Sequence, residues 1–245
     1  MCLMMDQQKP EKGIALILYV LIWKKMNELE KHKEQFDLYS QELLKWNEMT
    51  NLTAITEPEE IKTKHFLDSL TVLDILPENT RTLIDIGSGA GFPGLPIKIA
   101  RPDVSVTLIE AVGKKVDFLN HLIGKLELKN IQAIHTRAEE IGQLPEYREK
   151  YDVATARAVA ELKILVEYAL PLIKIGGVFI AQKILGTLEV EQAKNAIEIL
   201  GGKIKEIRDA SLPGLEFHQL VIIEKIKPTP EKYPRRSGMP TKKPL

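Results

Sequence analysis

Four glycines crowd the segment Asp85-Ile86-Gly87-Ser88-Gly89-Ala90-Gly91-Phe92-Pro93-Gly94, directly behind a short apolar run, Arg81–Gly87. Glycines at that spacing let a backbone turn sharply and approach a ligand closely. Two acids follow at useful places. Glu110 ends the next apolar run, where a carboxylate can accept hydrogen bonds from ribose hydroxyls. Glu139, beside Ala138 and just after a third run, can border a nucleoside base, although Glu139 and Glu140 also suit a solvated helix start, where the helix dipole favours acids.

Gly89, Gly91 and Gly94 spell the G-x-G-x-x-G dinucleotide fingerprint, which by itself is weak. The first glycine of the loop is Gly87, however, and the segment reads better as D-x-G-x-G-x-G. A carboxylate at Asp85 suits a cationic ligand such as S-adenosylmethionine, with its sulfonium and ammonium, and would repel a pyrophosphate. An NAD-dependent oxidoreductase is the competing reading of the same glycines. It lacks a Tyr-x-x-x-Lys or an evident hydride-site histidine. A third reading is a non-enzymatic RNA-binding assembly factor that keeps the fold.

The elements that must position this loop alternate. Apolar, β-branched runs at Arg81–Gly87, Val104–Glu110, Asn130–Thr136, Tyr151–Ala156 and Val178–Gln182 read as strands, the last entered through a Gly176-Gly177 turn. Helical stretches at 94–100, 112–126, 160–174 and 187–200 lie between and beyond them. Strand alternating with helix predicts an α/β fold, a mostly parallel sheet wound on both faces. Ile204–Ala210 and Gln219–Ile226 read as a closing hairpin-like pair around Pro213-Gly214. Before the sheet, Leu29, Phe36, Tyr39, Leu43 and Trp46 recur at helical spacing and predict a helix over 27–48. A second helix is expected from Thr56, where Thr56 and Glu59 form a capping-box pattern with Pro58 in the first turn. The expected organisation is an extension (1–25), a helical annex (26–77), a ligand-binding α/β domain (78–228) and a basic tail (229–245).

The chain has 245 residues, 44% of them hydrophobic, enough for a sizeable core. A single cysteine, Cys2, excludes an internal disulfide framework and a multi-cysteine metal site, and fits a reducing cytoplasm. No histidine sits in a ligand-spaced pair, and no metal is expected. Net charge is zero, but its distribution is uneven. Nine acids against three bases lie in 26–61, whereas seven bases against one acid lie in 225–245. Arg235, Arg236, Lys242 and Lys243 are therefore candidate phosphate contacts, or else a solubilising end. Ile14–Trp23 is an unbroken apolar run flanked by lysines. It is too short to span a membrane and lacks a signal-peptide cleavage site, and it reads as an extension preceding the first amphipathic helix, or else as a weak interfacial helix.

The runs GSGAGFPG, WNEMTNLTAI (Trp46–Ile55), HFLDSL (His65–Leu70), RAEE (Arg137–Glu140), ARAVA (Ala156–Ala160) and YPRRSGMPTKKPL (Tyr233–Leu245) together resemble the small-subunit rRNA guanine-N7 methyltransferase family, called RsmG or glucose-inhibited division protein B. The resemblance runs from about Met26 to the last residue. It implies a seven-stranded, Rossmann-like class I methyltransferase fold and S-adenosyl-L-methionine as cofactor. The implied partner is 16S rRNA in the small ribosomal subunit, met by a cytoplasmic monomer with no membrane association. It carries the family's cofactor contacts onto Gly87, Phe92, Ala138, Glu139 and Arg157, beside Asp85, Gly89 and Glu110 from the loop reading. Lys183 departs from the pattern, since Ile184 follows it where the family has glycine.

The implied reaction is methyl transfer to N7 of one guanosine in the decoding-region loop. N7 is a lone-pair nucleophile without a proton, so no general base is needed, and catalysis rests on positioning. Substrate-side candidates are Arg157, Asn51, His65, Asp68 and Lys183. Arg157 would contact the cofactor carboxylate or the guanine, or merely pair with Glu161 on the surface. His65 and Asp68 share a helix face and would hold the base, or tie the annex to the sheet.

Overall fold

The computed structural model describes residues 12–184 and 187–245. Seven strands form one sheet in the order β3-β2-β1-β4-β5-β7-β6. They are β1 (Thr82–Ile86), β2 (Ser105–Glu110), β3 (Ile131–His135), β4 (Tyr151–Arg157), β5 (Ile173–Ile184), β6 (Gly202–Asp209) and β7 (His218–Lys225). The pairs from β3 to β5 are parallel, while β7 runs antiparallel to both its neighbours. The α/β sheet and its closing antiparallel pair follow the sequence expectation closely.

Alternation along the strands sends side chains to two cores. Leu83, Leu108, Val153, Ile180 and Ile222 face one side, packed under α5 (Gly94–Ala100) and α6 (Gly113–Lys125). Ile84, Ile109, Ala154, Phe179 and Val221 face the other, under α7 (Ala138–Ile141), α8 (Leu162–Ala169) and α9 (Thr187–Ile199). A sheet covered on both faces needs apolar residues at successive positions, which is why β1, β2 and β4 read as continuous runs.

The annex is part of the first core. Helix α1 (Lys12–Lys31) breaks at His32 and α2 (Lys33–Thr50) continues. Phe36, Tyr39 and Leu43 of α2 are buried against the sheet side. The expected boundary at residue 25 is crossed by α1, because the Ile14–Trp23 run is helical and Lys25 is buried on the Asp74 carboxylate at 2.5 Å. Cys2 and Lys9 lie outside the described residues.

The second annex helix differs from expectation at its start. Thr56 is exposed and lies one residue too early; Glu57 takes the N-cap position without a side-chain hydrogen bond, and α3 (Pro58–Ile61) begins at Pro58, whose ring presets the helical φ. A π-helical turn, Lys62–Leu67, then leads into α4 (Asp68–Leu70) and a 3-10 turn, Thr71–Asp74. The expected helix over 160–174 ends early. Pro171 lacks the N–H that an α-helix needs, so α8 passes through a 3-10 turn at Leu170–Leu172, and β5 already begins at Ile173. The Gly176-Gly177 pair therefore lies inside β5. A last short helix, α10 (Met239–Lys242), belongs to the basic tail, which lies folded against the domain. Among the described residues, no helix is long and apolar enough to cross a membrane.

Candidate active site

In the strand order, β1 connects onward to β2 on one side, and β4 to β5 on the other. The crevice at the carboxyl ends of β1 and β4 is the topological switch point, where doubly wound sheets bind ligands. The glycine loop leaves β1 at this place. Gly87 and Gly91 have φ of 64° and 103°, in the left-handed region open chiefly to glycine. A Cβ on Gly87 would lie 2.7 Å from a Val159 methyl; one on Gly91 would lie 2.6 Å from the Tyr39 hydroxyl. Tyr39 instead donates to the Ala90 carbonyl oxygen at 2.6 Å, fastening the annex to the loop.

Glu110, 7% exposed at the end of β2, completes the loop. Its Oε2 accepts the Gly89 N–H and its Oε1 the Val112 N–H, both at 2.9 Å. A carboxylate offers about four acceptor positions, so capacity remains for hydroxyl donors. Gly87, Gly89, Glu110, Ala138, Glu139 and Arg157 line one open cleft of about 530 Å³. That volume is within the ordinary range for small-molecule sites. Open backbone at Gly89, the Glu110 carboxylate and the small Ala138 side chain fit a nucleoside bearing a polar arm. Glu139 is only 6% exposed, which removes the solvated-helix-start reading; its Oε1 accepts the Gly238 N–H of the tail at 2.9 Å.

Asp85 corrects one expectation. It is fully buried and faces away from the cleft, accepting from the Thr155 hydroxyl at 2.9 Å and the Gly94 N–H at 3.1 Å. Burial pushes its carboxyl up to about 6, against the pull of those hydrogen bonds. Asp85 shapes the loop and the start of α5; it does not meet a ligand's positive charge.

Arg157 ends β4 and is the hub of the site. One guanidinium nitrogen lies 2.7 Å from Asp68 Oδ2 and 3.0 Å from the Lys64 carbonyl oxygen; the other donates to His65 Nδ1 at 3.1 Å. Its guanidinium carbon stands 4.9 Å from the Phe92 ring centre, in cation–π range. The surface pairing with Glu161 does not occur; Glu161 pairs with Lys163. Because an arginine only donates, His65 Nδ1 must accept, and Nε2 then donates to the Thr53 hydroxyl at 2.7 Å. Burial, and next the Arg157 charge, push the His65 imidazole down to about 4. Burial alone would raise the Asp68 carboxyl, but His218 and Arg157 outweigh it and hold it below its ordinary value. Phe92 is 5% exposed and stacks with His65 and Tyr39 at 4.4 and 5.3 Å, so it covers the loop. Ala158 follows with φ of 56°, a conformation that costs a non-glycine residue about 1–2 kcal/mol and turns the chain between the clefts.

A second cleft of about 500 Å³ lies across that hub and shares His65, Arg157 and Ala158 with the first. Asp68, Gln182, Lys183 and His218 also border it. Lys183 is occupied, however, by Glu189 at 2.6 Å and the Ala160 carbonyl oxygen at 2.9 Å. Asn51 borders neither cleft; it is exposed, with φ of 50° at the end of α2. Its neighbour Asn47 organises that turn, accepting from the Leu52 and Thr53 N–H groups.

Arg235 is likewise not a free phosphate contact. It binds the fully buried Glu167 carboxylate through its backbone N–H, Nε and Nη2. Arg236, Lys242 and Lys243 are exposed and make no ion pair among the described residues. Sequence reasoning missed His218, Tyr39, Thr53 and Glu167. Tyr39 and Glu167 are polar residues inside elements read for their apolar periodicity, Thr53 lies in the loop after α2, and His218 lies just before the strand expected from Gln219, so nothing local marked their roles. Only the apposition of distant elements gives them a role.

A seven-stranded doubly wound sheet with a glycine loop and an acid at the end of β2 defines a class I methyltransferase fold. Solved structures share it: TYW2 from M. jannaschii in complex with AdoMet matches with a TM-score of 0.53 at 19% identity, covering 66% of this chain and 76% of that one. A putative transferase from Pyrococcus horikoshii matches at 0.52 and 17%, covering 66% and 64%. The family model described as rRNA small subunit methyltransferase G matches residues 32–216, and the chain belongs to that family. Proteins named ribosomal RNA small subunit methyltransferase G are similar over most of the chain. The one from Acetivibrio thermocellus is 49% identical over 86% of this chain and 88% of its own length, and the one from Desulforamulus reducens 52% over 86% and 89%.

Proposed function

We propose that this protein transfers a methyl group from S-adenosylmethionine to N7 of a guanosine in the decoding-region loop of 16S rRNA, in the cytoplasm. The single observation that supports it best is the pair of clefts sharing the Arg157–His65 wall, one with a lining that suits a nucleoside, the other open to a second molecule. S-adenosylmethionine supplies, when bound, a methyl group made electrophilic by its sulfonium.

The chain's own residues do the rest. Glu110 would receive ribose hydroxyls, the Gly87–Gly89 backbone would admit the ligand closely, and Ala138 and Glu139 would flank the base, all four segments lining the first cleft. Arg157, clamped by Asp68 and His65, fixes the partition between the two clefts. His65 stays neutral, which suits a partition beside a cationic cofactor. N7 attacks with a lone pair and loses no proton, so alignment of the reacting atoms carries the rate. The exposed Arg236, Lys242 and Lys243 hold phosphates, giving affinity without base selectivity.

The test is transfer from labelled S-adenosylmethionine to small subunits lacking the endogenous modification, with deproteinised rRNA alongside. The expected product is one N7-methylguanosine, mapped by chemical cleavage. No transfer to either RNA form, with cofactor binding intact, overturns the reading.

A further inference from the structure

Two side chains bordering the second cleft carry acceptors that nothing among the described residues uses. Gln182, 5% exposed near the end of β5, donates its amide nitrogen to the Asp68 carbonyl oxygen at 2.8 Å. That contact fixes the amide's orientation, since the opposite one would set oxygen against oxygen. Gln182 Oε1 is then a buried acceptor with no partner among the described residues. Such atoms are rare in native structures, and each asks for a donor.

His218, at the start of β7, has Nδ1 3.0 Å from Asp68 Oδ1. Asp68 is held ionised by Arg157 and accepts only, so Nδ1 must be the protonated nitrogen. In the neutral ring Nε2 then carries the lone pair, and it has no hydrogen-bond partner among the described residues. Register places the two side chains together: His218 lies opposite Ile184, so Gln182 is its diagonal neighbour on one sheet face, and both gather on Asp68. The other polar groups of the cleft are engaged, Lys64 by Glu60, Lys183 by Glu189 and Arg157 by Asp68.

We propose that Gln182 Oε1 and His218 Nε2 form the base-reading pair of the substrate site, accepting the N1–H and 2-amino hydrogens of the target guanine. This rests on the methyl-transfer reading above. The chemistry selects guanine in particular. Its Watson–Crick edge offers two adjacent donors, on the far side of the purine from N7, so a base with N7 in the cofactor cleft turns that edge away from it. Adenine presents a lone pair at N1 and no 2-amino group, and leaves both acceptors unmet. Single-stranded bases are commonly read along this edge. Asp68 is then a positioning residue: it sets the His218 tautomer through Nδ1 and the Gln182 amide through its carbonyl.

The experiment uses the full chain and small subunits reconstituted with guanosine, inosine (no 2-amino group) or 2-aminopurine (no N1–H) at the mapped target position. All three keep N7. Wild type should prefer guanosine in kcat/KM by about tenfold or more over each analogue, the usual size of one lost base contact. In the Gln182→Leu/His218→Ala double variant that preference should fall below about threefold, because the partners of the missing donors are gone. Its S-adenosylmethionine Kd should stay unchanged, which a merely structural defect would not allow. Should the double variant fail to fold, His218→Ala alone decides the matter: Arg157 still pairs the Asp68 carboxylate in that variant, and its preference over one analogue must fall. A folded variant with wild-type preference overturns the proposal while leaving methyl transfer intact. Wild type inactive on guanosine subunits overturns the underlying reading instead.

Discussion

The Tyr39 hydroxyl, fully buried in α2, donates to the Ala90 carbonyl oxygen in the middle of the glycine loop, 51 residues away in sequence. The annex therefore reaches the cofactor loop directly, and the loop's shape depends on it. Tyr39→Phe keeps the stacking on Phe92 but strands the Ala90 carbonyl oxygen. The expected cost is about 1–2 kcal/mol of stability, with a few-fold weaker S-adenosylmethionine Kd. Urea unfolding and calorimetry check both; a variant with wild-type cofactor affinity would separate the annex from the loop.

Gly87→Asp should abolish cofactor binding while the fold survives. Its φ of 64° and the Val159 methyl, 2.7 Å from where a Cβ would stand, combine strain with a clash at the mouth of the cleft. The conformational part alone costs about 1–2 kcal/mol. Ligand-induced stabilisation is the readout: wild type should gain thermal stability with S-adenosylmethionine, and the variant should gain none.

Acid should probe His65. Its folded pKa, about 4, lies below the ordinary 6.5, so between those values the unfolded chain binds the proton that the folded one refuses. Its contribution is complete above about pH 6.5 and is lost as pH falls towards 4. Asp85 has the opposite sign: with a folded pKa near 6 against 3.8, it takes up a proton first in the folded state, and stability rises as pH falls through that window. His65→Phe keeps a ring against Phe92 and removes the titration. The stability gap between variant and wild type should thus move in the variant's favour from pH 7 to pH 5, by urea unfolding. An unchanged gap would mean that His65 titrates normally.

The sheet was legible because burial on both faces forces apolar runs, and glycine punctuation marks the switch-point loop. Glu110 and Arg157 were legible because strand ends at that edge face the crevice. Asp85 misled because its place before Gly87 says nothing about direction: on β1 it points under the loop at Thr155 and Gly94. His218 was invisible since its partner, Asp68, lies 150 residues earlier, and only sheet pairing with β5 brings them within 3.0 Å. The tail's basic composition was read correctly as charge but not as structure, because Glu167, the acid that receives Arg235, sits inside an apolar helix.

That last contact divides the tail into two kinds of arginine. Arg235 is held by a buried carboxylate, and the turn that follows brings the Gly238 N–H to Glu139 and Thr241 to the rim of the cofactor cleft. Arg235→Ala leaves Glu167 buried and unpaired, at a cost of about 3–5 kcal/mol, and frees the tail from the cleft. Weaker S-adenosylmethionine binding should follow. Arg236→Ala removes an exposed charge and should leave stability and cofactor Kd unchanged. RNA affinity should weaken instead, with the slope of log K against log salt reduced by about 0.7–0.9, one phosphate contact. Salt titrations of RNA binding, run beside calorimetry with the cofactor, separate the two. A changed salt slope in neither variant would remove the tail from the RNA interface.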